Sequence, residues 1–346
     1  MNAAEFQNRL LAWFDQHGRK HLPWQTDRSA YRVWVSEIML QQTQVNTVIP
    51  YFLKFIDRFP DVASLATAKA DDVIALWAGL GYYARARNLH RAAQVIMEHH
   101  NGRVPGNFDS LHALPGIGRS TAGAIMSLGM NMRAAILDGN VRRVLCRFMG
   151  ITGWPGDAVI NRQLWSIAES LTPTGRVAEF NQGMMDLGAM VCRRNQPDCI
   201  ACPLSSGCLA RASGQQNILP TPRPRLTIPV KTCFMLILIR SGQQVLLESR
   251  PPTGIWGGLK SLPEFETLDD LAFWCARYGV YPDSLQPMKR RRHTFSHYHL
   301  DFQPILGHAP EADSIHEKGA YSWFTPSAAS GLPSPIAKLL AELKLP

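Results

Sequence analysis

The sequence predicts a mainly α-helical N-terminal domain followed by a smaller α+β C-terminal domain. Before residue 210, apolar residues recur with a 3.6-residue period, as in "ADDVIALWAGL" and "INRQLWSIAESL". Beyond it, "KTCFMLILIRSGQQVLLESR" predicts two strands around a Ser-Gly turn. Between these regions, "LPTPRPRLTIP" has four prolines in eleven residues, which predicts an extended linker. A chain of 346 residues is also long for one domain.

These patterns place a helical domain at 1–212, a Pro/Arg-rich linker at 213–229 and an α+β domain at 230–346. In the first domain, "YRVWVSEIMLQQTQVNTVI" is almost continuously apolar through Val45 and predicts a buried helix. In the second, "YHLDFQPIL" and "GAYSWFT" predict strands, and helices are predicted near 268–278 and 335–343.

Charge and composition restrict the function classes. The formal net charge is +9 and the pI is about 9.4, which suits a polyanionic partner. The N-terminus lacks the pattern of a signal peptide, and no run approaches the roughly 18 apolar residues of a membrane span. We therefore expect a soluble intracellular protein with no membrane partner.

Four cysteines lie within seventeen residues of "CRRNQPDCIACPLSSGC", the segment 192–208. In a reducing compartment such a group indicates a metal site more than disulfides. Zinc and an iron–sulfur cluster both accept four cysteines, and the single C-x2-C pair favours the cluster. The predicted ligands are Cys192, Cys199, Cys202 and Cys208, whereas Cys146, Cys233 and Cys275 are isolated and predicted to be core residues.

A glycine turn separates two predicted helices in "FDSLHALPGIGRSTAGAIMSL". Gly116 and Gly118 permit positive φ and leave the amides of the turn accessible. The next helix begins with unpaired N–H groups and a positive dipole end, which suit a phosphate. A plain turn between helices would explain a lone G-x-G, but Leu114, Pro115 and the small residues that follow favour DNA binding.

Two carboxylates are candidates for chemistry. Asp138 follows an apolar run and precedes a basic helix with Arg142, Arg143 and Arg147, so it can cap that helix and stay ionised. Glu37 lies inside the apolar segment "VWVSEIML". Burial would raise its pKa and favour a proton-donating acid, although a structural, hydrogen-bonded glutamate is the alternative.

Taken together, the hairpin, Asp138 and the cysteines resemble the helix-hairpin-helix DNA glycosylases with a [4Fe–4S] cluster, over residues 1 to about 210. The resemblance implies that the hairpin grips DNA phosphate, that the target nucleotide is flipped out, and that Asp138 acts at C1′ of the sugar. Lyase members carry a lysine two residues beyond the second glycine, where this chain has Ser120. Because strand cleavage through a Schiff base needs an amine, Ser120 predicts simple base removal by water.

Further stretches resemble the MutY-type adenine DNA glycosylases. "SEIMLQQTQV" matches the helix with the catalytic glutamate, which makes Glu37 the acid that protonates adenine. "GLGYYARARNL" matches the duplex-probing segment, and "HTFSHYHL" matches the loop that reads 8-oxoguanine. Trp24 either borders the adenine pocket or belongs to the core. The resemblance implies DNA contacts by Gln42 and Tyr82 in the base stack and by Phe295, Ser296 and His297 at the lesion.

The second domain resembles a Nudix hydrolase domain without its catalytic residues. Gly258 and Glu264 have the spacing of the first part of the Nudix box, and Gly279 and Val280 fit its end. The positions of the box arginine and metal-binding glutamates are occupied by Ala272, Phe273, Ala276 and Arg277. We therefore expect a recognition module, not a second enzyme.

The resulting hypothesis is a monomeric, monofunctional glycosylase that removes adenine opposite 8-oxoguanine or guanine from double-stranded DNA in the cytoplasm, beside the nucleoid. Replication and repair proteins are further candidate partners. The candidates for phosphate contacts are Arg142, Arg143, Arg147 and the run Lys289–Arg292, and the alternative for each of them alone is a solvated charge. The alternatives are an endonuclease III-like glycosylase/lyase and a non-enzymatic iron–sulfur protein that senses redox state.

Overall fold

The computed structural model describes residues 1–224, 228–241, 244–251, 255–281, 284–295, 297–310, 321–325 and 332–343. The chain divides into two compact units, Met1–Arg225 and Leu226–Pro346. The boundary between the units falls inside the segment 213–229 that was predicted as a linker. No helix within the described ranges is both long and apolar enough to cross a membrane.

The first unit is helical. Its α-helices are α1 Ala3–His17, α2 Pro23–Thr26, α3 Ala30–Leu40, α4 Val45–Arg58, α5 Val62–Ala66, α6 Ala70–Trp77, α7 Ala84–His99, α8 Phe108–His112, α9 Arg119–Ala124, α10 Gly139–Phe148, α11 Ala158–Leu171, α12 Val177–Asp186 and α13 Leu209–Ala212. Wider π-helical turns extend α9 over Ile125–Gly129 and α12 over Leu187–Val191, and a short 3-10 turn covers Ser205–Gly207.

Apolar residues at helical spacing build two cores in this unit. In α10 the buried positions Val141, Val144, Leu145 and Phe148 follow the i, i+3, i+4, i+7 pattern of one helix face. They pack with α1, α11 and α12, whereas α3 to α9 surround the other core. The predicted core position of Cys146 is confirmed, since its side chain is fully buried.

The predicted buried helix through Val45 is interrupted. Helix α3 ends at Leu40, Gln42 has a positive φ of 57°, and α4 begins at Val45. The apolar pattern hides this break because hydrophobic residues on both sides remain buried. The last carbonyls of α3 instead accept hydrogen bonds from the distant Arg85.

The second unit contains a mixed sheet. Its strands are β1 Val230–Arg240, β2 Gln244–Ser249, β3 Lys260–Ser261, β4 Glu264–Phe265, β5 Gln286–Pro287, β6 Arg291–Thr294, β7 His299–His308 and β8 Tyr321–Phe324. The strand order along the main path is β3-β2-β1-β7-β5, and β1 pairs with β7 in parallel, whereas the other pairings are antiparallel.

Two helices cover opposite faces of this sheet, α14 Leu268–Arg277 and α15 Ser334–Glu342. The sheet lies between the two helices as the middle of three layers. Strand β1 packs against both helices, because successive side chains of a strand point to opposite faces. Met235 and Ile237 pack in the same cluster as α15, whereas Leu236 and Leu238 pack with α14. Each face receives one isolated cysteine, and the predicted burial of Cys233 and Cys275 is confirmed.

Candidate active site and DNA-facing segments

One cavity of about 650 Å³ in the first unit is lined by both candidate carboxylates, Glu37 and Asp138. Glu37 comes from α3, and Asp138 immediately precedes α10. The two residues are 101 positions apart in the chain, so only the packing of the helices brings them to one space.

Asp138 caps α10, as the sequence predicts. Its Oδ1 accepts a hydrogen bond from the Val141 amide at 2.8 Å, and its Oδ2 accepts one from Asn140 Nδ2 at 3.0 Å. Arg143 supports this arrangement, because its Nη2 donates to Asn140 Oδ1 at 2.8 Å. These hydrogen bonds favour the charged carboxylate.

Within the described part of the chain, no hydrogen-bond donor comparable to those of Asp138 reaches Glu37. Burial, followed by the nearby charge of Asp138, raises the pKa of Glu37 to about 8. Burial also raises the pKa of Asp138, but the hydrogen bonds from Val141 and Asn140 and the charge of Arg143 oppose that effect. When two interacting acids share one site, the acid whose anion accepts more hydrogen bonds ionises first. The geometry therefore favours a protonated Glu37 beside an ionised Asp138.

Polar residues that the sequence analysis missed also line the cavity. Arg19 and Gln182 line it from distant parts of the first unit. Both are held by Asp186, which is fully buried: Oδ1 accepts from Arg19 Nη2 at 2.7 Å and from Gln182 Nε2 at 2.9 Å. No local motif marks Arg19, because its contact with Asp186 joins segments 167 positions apart, whereas Gln182 and Asp186 lie four positions apart on α12.

Trp24 is buried and also lines the cavity, whereas its contact with adenine stays a prediction. Its side chain is 4 % exposed and packs edge-to-face on Phe52, with ring centroids 5.3 Å apart. It also contributes to the lining of the cavity that holds Glu37. Trp24 is thus a core residue that also forms part of the cavity wall.

Ser120 lies in the same cavity and supports the segment that leads to Asp138. Its Oγ accepts a hydrogen bond from the Leu137 amide at 3.2 Å. A lysine would lack an acceptor for this amide at neutral pH, since a protonated amine only donates. Ser120 therefore has a structural function, and it also provides no amine nucleophile.

The two glycines of the hairpin turn have different requirements. Gly116 has a φ of 80°, and a Cβ there would lie 2.9 Å from Asn88 Cβ, so both conformation and space require glycine. Gly118 has an ordinary φ of −87°, and a Cβ there would meet nothing within 4 Å. The expectation that both glycines serve positive φ is thus wrong for Gly118. Leu114 is buried beneath the turn.

The two residues predicted to enter the base stack share an unusual conformation. Gln42 and Tyr82 have φ values of 57° and 51°. For residues with a Cβ, this left-handed conformation costs about 1 kcal/mol each. Tyr82 is also 59 % exposed, which leaves its ring available to a ligand. Strain at an exposed aromatic residue is typical of functional segments.

The basic residues of α10 are largely committed within the protein. Arg147 is 2 % exposed and donates to the carbonyl oxygens of Leu219, Arg193 and Arg194, so its predicted phosphate contact is wrong. Arg142 donates to the Leu137 and Pro155 carbonyls, and Arg143 donates to the Cys192 and Gly188 carbonyls. DNA contacts by these two arginines stay a prediction.

The basic run of the second unit is also largely paired. Arg291 forms an ion pair with Glu342, and Arg292 forms one with Asp301. Arg290 donates to Gln303 Oε1 at 3.2 Å. Exposed ion pairs of this kind contribute little to stability, so they leave these arginines able to exchange partners for a phosphate.

The four cysteines Cys192, Cys199, Cys202 and Cys208 line one small cavity and form no disulfide. Arg147 lies beside it, with Nη1 3.3 Å from Cys192 Sγ. Among the described residues, no group of three or more His, Cys, Asp or Glu side chains is arranged to bind a metal ion. Four free thiols around a common cavity nevertheless form a donor set that suits a thiolate-bound cluster.

In the second unit, Phe295 belongs to an aromatic cluster. Its ring stacks on Tyr298 at 4.8 Å and meets His293 edge-on at 4.6 Å. The Phe295 amide donates to the Tyr298 carbonyl at 2.9 Å, and His297, which lies between them in the chain, is exposed. Ser296, also predicted to read the lesion, lies outside the described residues.

Comparison with known proteins identifies the family. The profile of HhH-GPD superfamily base excision DNA repair proteins matches residues 35–170, and a NUDIX domain profile matches residues 234–342. An adenine DNA glycosylase of Buchnera aphidicola subsp. Acyrthosiphon pisum is 41 % identical over 343 residues, which cover 98 % of this chain and 97 % of that relative. The chain belongs to the adenine DNA glycosylase family.

Other relatives agree with this assignment of the glycosylase. The human adenine DNA glycosylase is 35 % identical, over 89 % of this chain and 68 % of its own length. The solved structure of a thermostable thymine-DNA glycosylase is 28 % identical, covers 61 % of this chain and 97 % of its own, and has a TM-score of 0.56. These matches confirm the predicted fold class. They favour neither the endonuclease III-like lyase nor the redox sensor.

The enzyme removes adenine from DNA in base excision repair and is a monofunctional glycosylase that acts on an N-glycosyl bond. Its partner is accordingly DNA.

Proposed function

We propose that the enzyme hydrolyses the N-glycosidic bond of adenine paired with 8-oxoguanine and, less strongly, with guanine. The observation that carries the proposal is the pair of carboxylates in one cavity, with Glu37 favoured as the protonated acid and Asp138 as the anion. We further propose that the protein acts as a monomer on double-stranded DNA in the cytoplasm, beside the nucleoid.

The proposed reaction begins when adenine leaves the base stack and enters the cavity. Flipping costs a few kcal/mol and is easiest at a mispair. Glu37 gives its proton to a purine ring nitrogen. The bond between C1′ and the base then breaks, its electron pair goes to the purine, and adenine departs as a neutral molecule.

The sugar that remains carries positive charge, which the Asp138 carboxylate stabilises across the cavity. Glu37, now ionised, accepts a proton from the attacking water, and the oxygen of that water bonds to C1′. The products are free adenine and an abasic sugar, and Glu37 regains its proton. The division between a neutral acid and an anion parallels the paired carboxylates of glycosidases.

The hairpin and the two strained residues provide the proposed grip on DNA. Gly118 leaves open space at the start of α9, which would let a phosphate approach the exposed amides. Gln42 and Tyr82 would fill the space left by the flipped base. Their left-handed backbones would be compensated by this contact and by the surrounding structure.

The second unit supplies the proposed reading of 8-oxoguanine. The exposed side chain of His297 lies between Phe295 and Tyr298, whose rings stack on each other. Ser296 and His297 would contact the lesion, and Phe295 would support them. Helix α14 carries Ala272, Phe273, Ala276 and Arg277 where a Nudix hydrolase has its arginine and metal-binding glutamates, which supports recognition without catalysis.

We also propose that Cys192, Cys199, Cys202 and Cys208 hold a [4Fe–4S] cluster, because they line one cavity as free thiols. When bound, the cluster would supply a covalent cross-link for the segment 192–208. Arg143 links the start of that segment to the site, since it donates to the Cys192 carbonyl at 2.8 Å and to Asn140, the partner of Asp138.

End-labelled duplexes test the proposed function. They carry adenine opposite 8-oxoguanine, guanine or thymine, or thymine glycol opposite adenine, and each is analysed with and without hot alkali. We expect alkali-dependent breaks at adenine opposite 8-oxoguanine, slower breaks opposite guanine and none opposite thymine. Breaks at thymine glycol without alkali would contradict both the substrate and the assignment of Ser120.

A further inference from the structure

The segments that carry Gln42 and Tyr82 are joined through one buried side chain, Arg85. Arg85 lies in the first turn of α7 and is 8 % exposed. Its Nη1 donates to the Gln41 carbonyl at 2.6 Å, directly before Gln42. Its Nη2 donates to the Gly81 carbonyl at 3.0 Å, directly before Tyr82. The same guanidinium therefore fixes the peptide that leads into each strained residue.

Further contacts surround the guanidinium on both sides. Its centre lies 5.4 Å from the Trp77 ring centroid and 5.5 Å from that of Tyr82, distances at which a cation and a ring attract. The other acceptors are the carbonyl oxygens of Ile38 at 3.0 Å, Met39 at 2.7 Å and Leu80 at 3.3 Å, and Thr43 Oγ1 at 3.3 Å.

The termination of α3 explains why a cation belongs at this place. The last carbonyls of a helix lack partners within the helix, and the C-terminal end of its dipole attracts positive charge. Arg85 donates hydrogen bonds to the Ile38 and Met39 carbonyls in the last turn of α3, which ends at Leu40. The helix can therefore stop there and turn into the left-handed conformation of Gln42.

Only a planar, branched cation matches this arrangement. Nη1 donates to the segment before Gln42, Nη2 donates to Gly81 and also to Thr43, and Nε has no partner among the described residues. A lysine at this position would bring one point charge and no fork, so it could not hold both segments at once. Burial lowers the pKa of Arg85 to about 10, which leaves the side chain charged at neutral pH.

We propose that Arg85 is a positioning residue that couples the two segments, so that Gln42 and Tyr82 are held together in the conformations that enter DNA. This inference rests on the proposed function of these two residues in the base stack. Arg85 itself does not reach the reacting atoms. Its loss would slow the capture of adenine while the acid–base pair, Glu37 and Asp138, stays intact.

The test compares Arg85→Lys with Arg91→Lys, a matched change at an exposed arginine of the same helix. Single-turnover excision of adenine opposite 8-oxoguanine is measured per active molecule from the burst amplitude, so that misfolded protein does not count. We expect Arg85→Lys to lose about 10- to 100-fold in rate, the effect of a displaced positioning group. Arg91→Lys should stay within about two-fold.

A second comparison separates positioning from general structural support. Arg85→Lys is repeated in a Gln42→Ala/Tyr82→Ala background, and 2-aminopurine fluorescence opposite 8-oxoguanine reports unstacking of the target base. If Arg85 acts through the two residues, the added change should slow excision by less than about two-fold and leave unstacking unchanged. A full additional loss in that background would overturn the inference.

The remaining outcomes identify which proposal fails. If the unaltered enzyme does not excise adenine opposite 8-oxoguanine, the proposed function is wrong. If it does, but Gln42→Ala/Tyr82→Ala keeps the full rate, the stack-entering residues are wrongly assigned and the inference falls with them. If that background is slow and Arg85→Lys equals Arg91→Lys, only the inference about Arg85 is wrong.

Discussion

The two units of this chain both match families that contain enzymes, but they treat ionisable residues in opposite ways. In the first unit, Glu37 and Asp138 line the same cavity, where burial raises the pKa of both. In the second unit, the box position of a metal-binding glutamate holds Phe273, whose side chain is 75 % exposed. A fold therefore does not determine activity; the groups placed in its cavity do.

The largest predicted effect concerns the first unit alone. Glu37→Gln keeps the shape of the side chain but removes the transferable proton. We expect adenine excision to fall by about 10²- to 10⁴-fold, the range typical of a general acid. Single-turnover kinetics on a duplex with adenine opposite 8-oxoguanine measure this loss, and a gel-shift titration should give an affinity within about two-fold of normal.

Glu98→Gln is the matched control for that prediction, because Glu98 is exposed on α7 and its change should leave the rate unaltered. A Glu37→Gln variant that excises adenine normally would sink the acid assignment. A variant that loses affinity and rate to the same extent would instead indicate the structural glutamate considered from the sequence.

An intermediate effect is expected in the second unit, on selectivity. Phe295→Ala removes the ring that stacks on Tyr298 and should weaken the support of His297. We expect the preference for 8-oxoguanine over guanine opposite adenine to fall by about ten-fold, equivalent to about 1.4 kcal/mol. The ratio of single-turnover rates on the two duplexes measures it.

Phe273→Ala is the matched control within the same unit, since this exposed phenylalanine lies on α14 and not in the aromatic cluster. Its ratio should equal that of the unaltered enzyme. Equal losses from Phe295→Ala and Phe273→Ala would show that the ratio of rates depends on the stability of the whole unit and not on the support of His297.

The smallest predicted effect is the response to magnesium. Because α14 carries no carboxylate at the box positions Ala272, Phe273, Ala276 and Arg277, the second unit should neither need nor use this ion. Adding millimolar EDTA in place of Mg²⁺ should change adenine excision by less than about two-fold. Release of pyrophosphate from a nucleoside triphosphate that depends on Mg²⁺ would contradict the comparison between the units.

Local sequence patterns predicted the elements because helices, strands and turns follow from short-range chemistry. The period of α10, the apolar run of β1 and the cap formed by Asp138 each involve residues only a few positions apart. The buried positions of Cys146 and Cys233 follow from the same patterns. The site carboxylates were found through their local motifs and a family resemblance.

The errors and omissions involve contacts between distant segments. Arg147 was expected at the surface because its helix is basic, but it reaches the Leu219 carbonyl 72 positions away. Arg19 was missed because Asp186, the carboxylate that holds it, lies 167 positions away. The end of α3 at Leu40 was missed because its capping donor comes from another helix. No periodicity records such pairings.

The pH dependence of excision tests the central claim most directly, that Glu37 is the acid and is protonated at neutral pH. The second-order rate constant is measured with limiting enzyme, so that the profile reports the free protein. Since the pKa of Glu37 is raised to about 8, the acid is protonated below that pH and loses its proton above it. The rate should therefore hold through neutral pH and fall about ten-fold per unit above about pH 8. A rate that stays constant or increases through about pH 9 would contradict the assignment of Glu37 as the proton donor.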